Sequence, residues 1–182
     1  RRLSTRVAGL TEGLARALVR AVAATVRADP GRCPVIPGVG AGPIGLHQEG
    51  DGPVRLPVRP VVVAGDDLTV VCDARLALSL VRYALEWLDA DPRRIGDPTD
   101  PRVALHRVLG EAHGEGTHPG RTVIGPTGGG HTTFVPTVGA GVAIQPVGAP
   151  LFLGYDMCEA MCRRAKEHRI ALRETTPTVD EH

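Results

Sequence analysis

The pattern of apolar and polar positions predicts helices and strands separated by two glycine- and proline-rich stretches. Between residues 3 and 28, apolar side chains recur every three or four positions from Leu3 to Val22, which is typical of one helical face. Ser4 is a candidate cap at the start of this helix. Residues 30–57 lack such periodicity and are rich in glycine and proline, so we expect a long inserted loop there.

The next segment has the clearest strand pattern of the chain. Val58–Ala64 and Leu68–Cys72 are short, mostly apolar runs separated by a Gly-Asp-Asp turn. Two such runs joined by a tight turn predict a β-hairpin. Because both runs are apolar almost throughout, we expect the hairpin to be central in its sheet and covered by helices.

A second helix is expected directly after the hairpin. Asp73 is a candidate N-cap, and residues 74–88 have a helical apolar period. The predicted buried face of this helix consists of Leu78, Val81, Leu85 and Leu88. Residues 89–136 contain several Asp-Pro pairs and read as a second insertion, with a short helix at about residues 103–109.

Strand and helix patterns return in the last part of the chain. A strand is expected at Val138–Gln145 and a helix at Leu151–Leu172. The predicted buried stripe of that helix consists of Leu151, Tyr155, Cys158, Cys162 and Ala165. The chain begins with Arg1, so we expect natural sequence before it, and a strand there would complete a ferredoxin-like βαββαβ sheet. We therefore predict one α+β domain over residues 1–182, an antiparallel sheet with helices on one face.

Composition narrows the classes of partner. The chain has 21 Lys+Arg and 20 Asp+Glu residues, a formal charge of +1, so it lacks the excess of basic residues with which proteins bind duplex DNA. No apolar run approaches the length of a membrane span. We expect a cytoplasmic protein whose four cysteines are reduced, buried core thiols.

The Gly65-Asp66-Asp67 turn is the main candidate for chemistry. Adjacent carboxylates repel each other unless a cation lies between them, and such oxygen ligands suit Mg²⁺ or Mn²⁺. A cation held there can bind the phosphates of a nucleotide, and Gly65 allows their close approach. Lys166, the sole lysine of the chain, is a candidate phosphate contact. The alternatives are that Gly and Asp only make a good turn, and that Lys166 lies on a solvated helix face.

These residues resemble a known family. The segment Arg59–Asp73, RPVVVAGDDLTVVCD, is similar to the GGDD hairpin of the palm (polymerase/cyclase) domain in the large subunit of type III CRISPR complexes, a relative of the GGDEF nucleotidyl cyclases. Gly139–Ile144 and Pro150–Lys166 resemble the last strand and helix of that domain. The resemblance implies a palm fold in which Asp66 and Asp67 bind Mg²⁺ or Mn²⁺, Gly65 borders the phosphates and Lys166 contacts the triphosphate.

The resemblance also implies an activity. Such palms join nucleoside triphosphates, with ATP favoured, into cyclic nucleotide signals in antiphage defence, at a site between two palms. It therefore predicts a nucleotidyltransferase or cyclase that acts as a homodimer or with a palm-containing partner. Two departures favour an alternative, an inactive palm that serves as a nucleotide-binding or interaction module. Ala64 replaces the first glycine of the motif, and the acidic residue of the family's first strand has no counterpart.

Overall fold

The chain folds into helices and small antiparallel sheets, in two compact units. The computed structural model describes residues 2–28, 33–37, 42–50, 52–113, 121–124, 130–133 and 138–175. The two units are Arg1–Pro136 and Thr137–His182. This mixture of elements confirms the α+β class, whereas the single palm-like domain stays a prediction. No helix among the described residues has an apolar stretch long enough to cross a bilayer.

Helix α1, Arg2–Thr25, is the first predicted element and supplies much of the core. The buried members of its predicted stripe are Leu10, Leu14, Leu18 and Val22. Leu3, at the start of the stripe, is 48% exposed. Ser4 lies inside the helix, so the prediction that it caps the N-terminus is wrong.

The stretch predicted as a long loop at residues 30–57 contributes to the core. Strands β1 (Val35–Ile36) and β2 (Ile44–Gly45) pair in antiparallel register. Ile36 and Ile44 are only 2% and 3% exposed, and both pack in one cluster with Val22 of α1. Strands of two residues are too short to show an alternating pattern, which is why periodicity did not indicate them.

Strands β3 (Val58–Ala64) and β4 (Asp67–Cys72) form the predicted hairpin, in antiparallel register with an irregularity between Pro60 and Val62. The prediction that this hairpin is central and covered is wrong. Among the described strands, β3 and β4 pair only with each other. Three of their valines, Val61, Val63 and Val71, are 40–48% exposed.

Helix α2, Ala74–Asp89, follows directly and confirms the predicted helix. Its packed face differs from the prediction. Leu76 and Leu88 are buried and Leu80 packs on the same core, whereas Leu78 is 70% exposed. The helix has two overlapping apolar faces that share Leu88, and spacing alone does not tell which one meets the core.

The rest of the first unit contains more regular structure than the predicted insertion. A 3₁₀ turn at Pro92–Arg94 precedes helix α3, Pro101–His113, which confirms and extends the short predicted helix. Leu105 of α3 is buried against α1 and α2. Strands β5 (Arg121–Ile124) and β6 (Gly130–Thr133) form a third antiparallel pair.

The second unit consists of helix α4, Leu151–Thr175, and the segment before it. The predicted strand at Val138–Gln145 is wrong, because this described segment pairs with no strand. It packs on α4 instead: the Cys162 thiol donates to the Gly139 carbonyl at 3.0 Å. A Cβ at Gly141 would collide with the Cys158 carbonyl, so the backbones approach closely at this glycine.

The predicted buried stripe of α4 is only partly correct. Leu151 and Tyr155 are 63% and 41% exposed, whereas Cys158 and Cys162 are half-buried beside the preceding segment. All four cysteines are free, but Cys33 is exposed, so the prediction that they are all buried core thiols is wrong.

Candidate functional site

The Gly65-Asp66 pair forms a tight turn at the tip of the hairpin. Ala64 pairs with Asp67, which leaves only two residues in the loop. Gly65 has φ +59°, and no described residue other than glycine has a positive φ. A positive φ at only the first of the two loop residues is the signature of a type II′ turn, which favours glycine at that position.

The two carboxylates of the turn are open to solvent. Asp66 and Asp67 are both exposed, and within the described residues neither side chain has a hydrogen bond or an ion pair. Adjacent carboxylates without a partner repel each other, and a shared cation would relieve that repulsion. A Cβ built at Gly65 would meet no atom of the described residues within 4 Å, its two chain neighbours apart, so this side of the turn is open. A ligand can therefore approach the turn backbone closely.

The donor set suits a cation that arrives with its own ligands. Within the part of the chain that the structure describes, no three His, Cys, Asp or Glu side chains are grouped so that they could hold a metal. The described residues therefore offer the Asp66–Asp67 pair and no closed cage. Mg²⁺ is commonly bound by one or two carboxylates together with substrate phosphates and waters. The residues present fit a Mg²⁺ or Mn²⁺ ion that is bound to a phosphate ligand.

Thr11 is a residue of the site that sequence analysis missed. Its hydroxyl, on the buried side of α1, donates a 2.7 Å hydrogen bond to the carbonyl of Gly65. Thr11 is 8% exposed. The sequence does contain one indication of this role, because Thr11 is a polar residue within the apolar stripe, between Leu10 and Leu14. A hydroxyl buried at such a position needs a hydrogen-bond partner.

Lys166 lies on α4, in the second unit, and its ammonium-bearing side chain is exposed. The stem of the side chain passes Gly139, where an added Cβ would come within 2.9 Å of the Lys166 Cγ. Asp66 and Asp67 belong to the first unit. A site that joins Lys166 to the two carboxylates therefore stays a prediction.

A cleft of about 280 Å³ lies elsewhere in the first unit, between α1 and the start of α3. Its walls consist of Thr5, Arg6, Gly9, Glu12, Gly13, Arg16, Thr99, Pro101 and Ala104. Neither Asp66 nor Asp67 lines it. The salt bridge between Arg16 and Glu12, 3.4 Å long, offsets much of the positive charge along one wall.

The candidate site is thus one turn: two exposed carboxylates, a glycine with positive φ, and a buried threonine behind them. The hairpin that carries this turn confirms the predicted pairing of the two apolar runs. Comparison with known proteins adds no relative, because no protein-family model, curated protein or solved structure matches the chain.

Proposed function

We propose that the chain is a palm domain that binds a nucleoside triphosphate, with ATP favoured, together with Mg²⁺ or Mn²⁺, and makes a cyclic nucleotide signal. The observation that supports this proposal is the hairpin tip, where Asp66 and Asp67 are adjacent and exposed, with no partner among the described residues. Repulsion between two adjacent carboxylates at a turn is unfavourable, and a bound cation relieves it.

In the proposed reaction a ribose hydroxyl attacks the α-phosphorus of a triphosphate, and pyrophosphate leaves. Asp66 and Asp67 hold the cation, which supplies positive charge to the phosphates when it is bound. Gly65 leaves open the space that a Cβ would occupy, since none of the described residues beyond its two chain neighbours comes within 4 Å of that position. Lys166 contributes a further positive charge to the triphosphate. A homodimer or a palm-containing partner in antiphage defence supplies the second palm.

A second candidate is a catalytically inactive palm that binds a nucleotide or serves as an interaction module. The observation that favours it is the lack of a third ligand beside the turn, within the described residues. Ala64, where the family has its first glycine, adds a methyl group next to Gly65. Two carboxylates are sufficient to bind a metal–nucleotide complex, but a two-metal reaction centre requires more protein ligands.

One experiment separates the two candidates. The chain is incubated with Mn²⁺ and ATP labelled at the α-phosphate, a label that stays with the cyclic products. Released pyrophosphate is measured separately, and Mn²⁺–ATP binding is measured beside both. The double variant Asp66→Asn with Asp67→Asn is compared with Asp156→Asn, an exposed carboxylate on α4. We expect the double variant to lose activity and binding, and Asp156→Asn to keep both.

The other outcomes are equally informative. If the wild type binds Mn²⁺–ATP through the turn but releases no pyrophosphate, the inactive palm is correct. If the wild type binds neither Mn²⁺ nor Mn²⁺–ATP, or if the double variant binds as well as the wild type, the cyclase and the nucleotide-binding form of the inactive palm both fail.

A further inference from the structure

We propose that Thr11 is a positioning residue, which sets the peptide plane of the Gly65-Asp66 turn and thereby the direction of the Asp66 carboxylate. This inference rests on the proposed function, because it assigns Thr11 a role in metal binding by that turn. Thr11 lies 54 residues before Gly65, and the bond between them ties α1 to the hairpin tip.

The hydrogen-bond distances show which acceptor the hydroxyl serves. The Thr11 hydroxyl lies 2.7 Å from the Gly65 carbonyl oxygen and 3.1 Å from the Val7 carbonyl oxygen, one turn earlier in α1. A hydroxyl has one hydrogen, and 2.7–2.8 Å is the commonest length of an O–H···O bond. The main partner of Thr11 is therefore the turn, and the contact within the helix is the weaker one.

The Gly65 carbonyl belongs to the one peptide unit whose orientation distinguishes two hairpin turns. That carbonyl and the Asp66 amide share a rigid plane. Turning this plane over converts a type II′ turn into a type I′ turn, in which Asp66 also takes a positive φ. Asp adopts that conformation more readily than most residues, so the chain at this point has two accessible turns. The hydrogen bond from Thr11 selects the one with a negative φ at Asp66.

The surroundings of Thr11 hold its hydroxyl in a fixed place. Leu10 and Leu14, on either side of it in α1, are each 7% exposed. Val7 from α1 and Leu68 from β4 pack on the same cluster. Because the helix and the base of the turn share this apolar contact, the donor and the acceptor do not move apart independently.

The test compares Thr11→Val, which keeps the shape and removes the donor, with Thr11→Ser, which keeps the donor. Two quantities are measured on the full chain: Mn²⁺ affinity, with the metal alone, and the amide–amide NOE between Gly65 and Asp66. That NOE is weak in a type II′ turn and strong after the peptide plane turns over. We expect Thr11→Val to show a strong NOE and roughly fivefold weaker Mn²⁺ binding, the effect of about one hydrogen bond. Thr11→Ser should resemble the wild type in both.

The two readouts separate this inference from the proposed function. If wild-type protein binds neither Mn²⁺ nor Mn²⁺–ATP, the proposed function fails, and the NOE alone decides whether Thr11 sets the turn. If Thr11→Val retains the weak NOE and wild-type affinity, the inference is overturned. Should Thr11→Val not fold, Thr11→Ala is compared with Thr11→Ser instead. Both side chains are smaller than threonine and only serine keeps the donor, so this comparison also tests whether the hydroxyl sets the turn.

Discussion

Ile36 offers a sharp test of whether the segment after α1 is an inserted loop or part of the core. It lies in a strand of two residues, yet its side chain is 2% exposed and packs with Ile44 and Val22. Replacing a fully buried isoleucine by alanine costs about 2–5 kcal/mol, since the removed carbon atoms leave a cavity. We expect Ile36→Ala to lower the free energy of unfolding by about 3 kcal/mol.

That loss is large against a typical total stability of about 5–15 kcal/mol. With a urea dependence of about 2 kcal/mol per molar, the unfolding midpoint falls by about 1.5 M. Trp87, the one tryptophan of the chain, gives the fluorescence signal, and it packs on the other core cluster of the first unit. Val70 and Leu80 contact both clusters, so the signal should follow a cooperative loss of the two.

Val35→Ala is the matched control. Val35 lies in the same strand but is half-buried, so its truncation should cost less than about 1 kcal/mol. If Ile36→Ala moves the urea midpoint no further than Val35→Ala does, the segment behaves as an inserted loop, and the core assignment of Ile36 is wrong.

Two further predictions concern the α2 cap and the second unit. Hydrogen bonds from the Arg75 side chain and amide lower the pKa of Asp73 from 3.8 to about 2, so its stabilisation is complete above pH 4 and is lost as pH falls towards 2. In urea titrations, the free energy of unfolding should therefore fall between pH 4 and 2 by about 1 kcal/mol more in the wild type than in Asp73→Asn. An equal fall in the two proteins would contradict the cap. Gly141→Ala should separate its segment from α4 and so speed the alkylation of Cys162 by iodoacetamide. Gly148→Ala is the control, because there is open space around a Cβ at that position. Equal alkylation rates in the two variants would show that the close approach at Gly141 is not required.

The parts of the fold that can be predicted from the sequence are those with a long periodic pattern or with a pattern among adjacent residues. Helix α1 has 24 residues with a periodic apolar stripe, and the hairpin has two apolar runs around a turn whose residue types are typical of turns. The prediction of the buried face of α2 is wrong because Leu76 and Leu78 each begin an apolar stripe with helical spacing. Only contacts across the chain decide between such faces.

The candidate site divides in the same way. Gly65, Asp66 and Asp67 are neighbours in sequence, so their turn could be predicted from residue type alone. Thr11 reaches the turn through the packing of α1 on the hairpin, which no local pattern shows. The packing of Val138–Gln145 on a helix instead of in a sheet was missed for a related reason. An apolar segment has the same pattern whichever surface covers it.

The glycines of that segment fix how it can lie along α4. Gly139 is beside Cys162, Gly141 is beside Cys158, and Gln145 is beside Gly154, so the chain runs antiparallel to the helix. Two residues of extended chain, about 6.6 Å, nearly match four residues of helix, about 6 Å. A slip by a single position would drive Ala140 or Val142 into the helix backbone. The absence of a Cβ at Gly139 and Gly141 therefore sets the alignment of the segment on α4.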